Sequence, residues 1–280
     1  MASVEITRTT ALFPSAVFVQ WDLVTDETGE HTVDVFRAGS PEGPWQSVVT
    51  ALVNAYHFLD DNFNVPGAES TEDHHEGLNL FSLSRDVYYK VEVYPPSGST
   101  NKFVCAPVSI EPGLDTRTRL FKRKILRDEA TAFRRLNGVP IAVLKRKHWG
   151  TLCRQCYDHV THEATLEHCR ICYGTGYEGG YWTPVYIRGR RTPGPVQTQV
   201  TAHGESDTKN VNFIILDYPH IAHKDILIDL RRNDRYIVEM VTTTELKGVV
   251  VHQTASASLL SRSSVEYVPL VDPATVPPLY

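Results

Sequence analysis

Two CxxC pairs, Cys153-Arg-Gln-Cys156 and Cys169-Arg-Ile-Cys172, are separated by twelve residues and constrain this chain more than any other feature. Pairs at that spacing let four thiolates converge tetrahedrally on one ion, and the expected ion is Zn²⁺. A Cys₄ set is closed, with no open position for water, so the expected role is structural and contributes on the order of 10 kcal/mol of folding energy. A redox dithiol would need only one pair at a helix start. His159, His162 and His168 lie between the pairs and are read as loop residues, because four well-spaced thiols are already present. The fifth cysteine, Cys105, falls in an apolar alternating segment and is read as a core thiol. Four of five cysteines packed into twenty residues is not how a disulfide-stapled secreted protein spreads its bridges, so synthesis in a reducing compartment is expected.

Charge divides the 280 residues unevenly. Residues 1 to 116 carry 17 acids against 5 bases (-12), residues 117 to 150 carry 2 against 11 (+9), and residues 151 to 280 carry 14 against 12 (-2). Such asymmetry predicts regions with different surroundings and an interface between the basic part and something acidic. The N-terminus lacks the pattern of a signal peptide, and no apolar run is long enough to span a membrane. Four regions are expected: 1–113, a β-sandwich; 114–149, a basic amphipathic helix and linker; 150–180, the zinc module; and 181–280, a small β-barrel or sandwich. The fold class is mainly β.

In the first region, Ala16 to Leu23, His31 to Arg37, Trp45 to Val49, Asp86 to Tyr94 and Phe103 to Ile110 read as short strands between turns. Trp21 in an early strand, Tyr89 in the Tyr89 to Val93 strand and Leu83 six residues before that tyrosine together resemble a fibronectin type III domain. The resemblance covers about 100 residues. The stretch from Asp60 to Gly77 is longer than the usual loop of such a domain. It holds Asp73, His74, His75 and Glu76, which are capable ligands, but adjacent residues seldom converge on one ion and a solvated loop is expected.

Asp115 reads as an N-cap for a helix that ends at Asn137-Gly138. Its apolar face is expected to hold Phe121, Ile125, Leu126, Ala130, Phe133 and Leu136. Its basic face is expected to hold Lys122, Arg123, Arg127, Arg134 and Arg135, which could meet phosphates or an acidic partner. No aromatics interleave these bases as a single-strand binder would want. Cys169 to Gly176 reads CxxCxGxG, similar to one repeat of the zinc region of DnaJ-type chaperones. Those carry four repeats and this chain has one clear copy, so a chaperone is rejected. Beyond it, seven β-branched runs from Val185 to Leu270 predict the last β domain, with a hairpin turning at Asn233-Asp234. His220, His223 and Asp225 lack a spacing that supplies a third ligand.

Gly174, Gly176 and Gly179 stand at GxGxxG spacing, but they follow a CxxC pair rather than a strand and have no nearby P-loop lysine, so phosphate cradling is not expected; no P-loop, GxSxG, HExxH or EF-hand pattern occurs, and a non-enzyme is expected. The order of parts, with RRLNGVPIAVLKRKHWG, CYGTGYEGGYW, HKDILIDLRRNDRYIVEMV and KGVVVHQ, resembles structural proteins of tailed-bacteriophage virions. The stretch from about 117 to 270 looks like neck or collar proteins of the head-to-tail junction. That resemblance implies a chain without turnover, small-molecule substrate or membrane, made in the host cytoplasm and located in the virion. Its partners would be copies of itself in a ring and portal, adaptor or tail proteins. The alternatives are a nucleic-acid-binding zinc protein using the basic helix, and a tail, baseplate or host-surface adhesive protein.

Overall fold

The computed structural model describes residues 3–12, 16–61, 87–96, 102–161, 163–166, 168–201, 204–246, 249–269 and 271. Leu83, the Asp73 to Glu76 cluster and His162 lie outside them. Among the described residues the chain is mainly β, with one α-helix, a closed six-stranded barrel and a four-cysteine cluster. It divides into two compact units, Met1–Arg127 with His148–Leu152 and Asp128–Lys147 with Cys153–Tyr280.

The first unit holds β1 (Ser3–Leu12), β2 (Ala16–Val24), β3 (Thr32–Ala38), β4 (Gln46–Val53), β5 (His57–Asp60), β6 (Tyr88–Tyr94), β7 (Phe103–Val104) and β8 (Val108–Ser109). One sheet has the order β1-β2-β5; the other runs β4-β3-β6-β7, with β8 also on β6. Alternation works as the sequence predicts: Val33 and Val35 of β3 and Tyr89, Val91 and Val93 of β6 are fully buried. Trp21 of β2 is buried with them. β1 and β5 were not expected, and the strand expected from Phe103 to Ile110 is broken into two pairs of residues. Cys105, in that break, is buried and its Sγ accepts the Val91 N–H at 3.0 Å. Burial pushes the thiol pKa up, as befits an inert core cysteine.

A buried polar tie links the two sheets. Arg37 of β3 donates to Asp60 of β5 at 2.7 Å, and the Tyr89 hydroxyl of β6 donates to the same oxygen at 2.7 Å. Burial pushes the Asp60 carboxyl up, and Tyr89 and Arg37 oppose that shift.

Two histidines are expected to make this unit acid-sensitive. His57 stacks on Phe18, its Nδ1 is buried without a hydrogen bond among the described residues, and burial pushes its pKa down to about 4. Burial also lowers His31, whose ring sits edge-on to Trp149. A histidine with a lowered folded pKa folds as the neutral form. Its contribution is complete above the unfolded pKa of about 6.5 and is lost as pH falls toward 4. His57 alone is therefore expected to cost roughly 3 kcal/mol between pH 7 and 4. Denaturant titrations of the first unit across that range should show the loss, and His57→Phe should flatten it; an unchanged slope refutes the assignment.

Helix α1 (Thr116–Ala132) begins where expected: Asp115 accepts the Thr118 N–H at 3.2 Å. It ends in a π-turn over Phe133–Asn137 before Gly138. The boundary between the units falls inside the helix, after Arg127.

The second unit contains β9 (Val139–Leu144), β10 (Tyr157–Asp158), β11 (Glu163–Ala164), β12 (Val185–Thr201), β13 (Gly204–Leu216), β14 (Ile226–Asp229), β15 (Asp234–Leu246) and β16 (Val249–Leu259). The barrel order is β12-β13-β16-β15-β14-β9, with every pairing antiparallel. Ile141, Val143, Ile187, Phe213, Ile215, Leu227 and Val238 are among its fully or almost fully buried residues. The two runs expected at Val185 to Arg188 and Val196 to Thr201 are one long strand. The strand expected from Val265 is instead a short 3₁₀ turn, Val265–Tyr267. That turn belongs to a segment strapped back on the barrel, where buried Arg235 donates to the carbonyl oxygens of Glu266 and Pro269, each at 2.7 Å. Fully buried Gln253 similarly serves the carbonyls of Leu216 (3.1 Å) and Pro219 (2.9 Å) and the N–H of Ile221 (3.0 Å).

Candidate metal centre

The four cysteines sit in the connection between β9 and β12, and the two CxxC turns are built alike. The carbonyl of the first cysteine in each accepts a backbone N–H from the tyrosine four residues on: Tyr157 to Cys153 at 3.2 Å and Tyr173 to Cys169 at 2.8 Å. The carbonyl of the second cysteine in each is capped by a threonine through both its N–H and its hydroxyl. Thr165 caps Cys156 at 2.8 and 3.0 Å, and Thr175 caps Cys172 at 2.9 and 2.7 Å. The signal for this repeat is the shared tyrosine in CRQCY and CRICY; the threonines sit at different spacings and are matched only in three dimensions.

Between the turns, β10 and β11 form a short hairpin, and Tyr157 and Ala164 pack against the buried sulfurs. The Cys153 N–H donates to the Gly176 carbonyl at 2.8 Å, tying the first turn to the end of the second. Gly180 has φ +64, and a Cβ there would lie 2.5 Å from the Tyr173 ring and 2.7 Å from the Cys172 carbonyl oxygen. Only glycine fits so close to the second turn.

All four sulfurs lie within 4.8 Å of one another, and all four cysteines are buried and unbridged. The Cys153–Cys169 and Cys156–Cys172 separations are 3.9 and 3.0 Å. Metal–sulfur bonds of about 2.3 Å in a tetrahedron place sulfurs about 3.8 Å apart, so the set fits one thiolate-bound metal ion after small adjustments. Burial pushes Cys153 and Cys156 up, neighbouring sulfurs adding to the effect at Cys156. At Cys169 burial acts the same way but is outweighed by the Cys172 and Ile171 backbone N–H groups, which help to hold it down to about 7. A divalent ion would complete the ionisation of the set, so metal binding releases protons.

The run Lys145-Arg146-Lys147 is the stem of this module. Lys145 Nζ donates to Asp225 at 3.2 Å and to the His220 carbonyl at 3.0 Å; the Arg146 N–H reaches the other Asp225 oxygen at 2.9 Å. The Arg146 guanidinium donates to the Gly174 carbonyl at 2.9 Å. Lys147 donates to the Glu178 carbonyl at 2.7 Å and lies over the Trp182 ring, and burial lowers its ammonium pKa. These charges are spent inside the unit, holding the cysteine module to the barrel.

Of the other expected site residues, Lys122 and Arg123 are not on an exposed face. They are buried, with Arg123 3.3 Å and Lys122 4.0 Å from the buried carboxylate of Glu111. That pairing turns the helix so that Phe121 is 39% exposed, and Leu136 in the turn beyond is 84% exposed, although both were expected on the apolar face. Arg127, Arg134 and Arg135 are exposed. His159 and His168 are exposed and outside the sulfur cluster, and His220 and His223 are exposed while Asp225 is committed to Lys145. Among the described residues, the four cysteines form the single cluster able to hold a metal. Comparison with known proteins finds no family model that matches the chain and no curated protein that resembles it in sequence.

Proposed function

We propose that the chain is a non-enzymatic structural protein of a tailed-bacteriophage virion, of the neck or collar type, assembling in several copies at the head-to-tail junction and carrying one structural Zn²⁺. The observation that carries this reading is the buried four-thiol cluster set into a strand-to-strand connection of a closed barrel. Such a ligand set saturates its ion, leaving no position for water or substrate, so the metal's role is to hold the chain. Zinc suits four thiolates because it is redox-inert and accepts tetrahedral sulfur readily. The β1-β2-β5 sheet beside the β4-β3-β6-β7 sheet, with Trp21 and Tyr89 in the core, supports a fibronectin III-like first unit, a spacing or adhesive module. The burial of Lys122 and Arg123 against Glu111 removes two of the five bases that a nucleic-acid-binding helix would offer. Its partners are then copies of itself and neighbouring portal, adaptor or tail proteins, and its location is the virion.

Native mass spectrometry of the purified chain, before and after a chelator, tests this. One zinc per chain and a defined multi-copy assembly are expected, and purified particles of the encoding phage should contain the chain stoichiometrically. A metal-free monomer with oxidised cysteines refutes the reading.

A further inference from the structure

One end of the barrel is open and basic. Where β9 begins and β14 ends, a cleft of about 570 Å³ is lined by Arg191, Gly194, Asn210, Asp229, Arg231 and Arg232 among others. One glycine is part of that lining: a Cβ on Gly194 would lie 2.7 Å from the Asn210 carbonyl oxygen, so this position does not accept a side chain. Asp229, 1% exposed, is the one carboxylate among the described lining residues. It is already engaged: Arg191 donates to one oxygen at 3.3 Å and the Arg231 N–H to the other at 3.0 Å. Arg191 is further fixed over the Tyr236 ring at 5.4 Å. Arg231 spends one donor on the Gly138 carbonyl at 3.3 Å, and the exposed Arg232 guanidinium makes no hydrogen bond or ion pair among the described residues. Asn210 Oδ1 is buried in the same lining without a hydrogen bond among the described residues. Among the described lining residues, three guanidiniums against one carboxylate leave a formal charge of +2 in a concave site whose donors are presented by two strands and a tight turn. The Arg232 and Asn233 N–H groups both close that turn on the Asp229 carbonyl.

Guanidinium forks in such a site match planar oxyanions, which can accept two parallel hydrogen bonds. The same chain supplies the complementary charge, since residues 1 to 116 carry a net -12. We propose that this cleft binds carboxylates of an acidic segment from the N-terminal region of a second copy of the chain, in a head-to-tail contact between neighbours. A contact joining two different surfaces is heterologous and closes into a ring when the rotation between copies allows. The inference rests on the multi-copy assembly proposed above and names its interface.

The test uses the full-length zinc-loaded chain. In a mixture of isotopically light and heavy protein, Arg232→Lys places an amine in the cleft, and a zero-length carbodiimide cross-linker joins amines only to carboxylates in direct contact. Mixed light–heavy cross-links from position 232 to acids within residues 1 to 116 are expected. The charge reversal Arg231→Glu with Arg232→Glu should lower the assembly's apparent affinity at least tenfold at moderate salt, with zinc content and melting temperature retained. Wild-type association should weaken between about 50 and 500 mM salt. An assembly that forms without such cross-links and survives the charge reversal overturns the cleft while leaving the multi-copy reading intact. A chain that stays monomeric under all conditions overturns both. Cross-links confined to single chains, or a DNA duplex that binds the wild type and not the reversed variant while assembly is unaffected, overturn the second copy as the occupant.

Discussion

Cys153→Ser or Cys172→Ser is expected to abolish stoichiometric zinc binding and unfold the segment between β9 and β12, while the first unit melts as in the wild type. The size of the effect follows from how little else holds that segment. Among the described residues, its own strand pairing is the two-residue β10–β11 hairpin and an isolated bridge between Arg146 and Tyr181, and its buried centre is the four sulfurs with Tyr157 and Ala164 packed on them. Structural zinc contributes on the order of 10 kcal/mol in small modules of this kind, more than a typical domain can lose. Removing one thiolate from a closed set leaves three ligands and an open position, and buries a serine hydroxyl among sulfurs. Because β9 and β12 pair with each other on either side of the segment, the barrel should also lose stability. Metal content by native mass spectrometry and melting by calorimetry measure both parts. Wild-type melting with full metal content in both variants would refute a structural role for the metal.

The complementary result is expected from Asp60→Ala, which should destabilise the first unit by about 3–5 kcal/mol and leave metal content unchanged. Asp60 is 1% exposed, and its carboxylate receives both the Arg37 guanidinium and the Tyr89 hydroxyl across the two sheets. Deleting it takes the carboxylate from a buried cation and a buried hydroxyl together, which is why the loss exceeds that of an ordinary surface pair. Tyr89→Phe keeps the ion pair and removes one donor, so a smaller loss near 1 kcal/mol is expected. For a unit of this size, the Asp60→Ala change corresponds to a melting shift of at least about 10 °C. Equal effects of the two substitutions would show that the ion pair contributes nothing beyond the tyrosine bond.

The parts of the fold that could be read from the residues are those with a local period. Val87 to Val93 alternates, and so does Val33 to Val35, because in a strand successive side chains face opposite sides of the sheet. The helix start was legible because an Asp cap acts within three residues. β1 was missed because its alternation is carried by Thr and Ala as well as Val and Ile, and Thr9 and Thr10 are buried although polar. β5 has four residues, too few to show a period. On the helix, amphipathic reading assigned Lys122 and Arg123 to solvent by residue type; a partner eleven or twelve positions away, Glu111, reversed that assignment. Long basic side chains can be buried when their heads find a carboxylate, and no local pattern announces the carboxylate.

The four cysteines and their convergence were determined by the sequence alone, because tight CxxC turns dictate where each pair of thiols points and twelve residues suffice to bring two such pairs together. Tertiary structure alone decided what those turns are attached to and what the charged residues do. Lys145 and Arg146 meet Asp225 some eighty positions away, and Arg191 and Asp229 meet at the barrel mouth only because β9 pairs with both β12 and β14 when the barrel closes. The convergence of the four thiols is short-range in the chain and therefore written in spacing. Charge pairing and cleft shape depend on which distant strands become neighbours, and that is set by the register of the whole barrel.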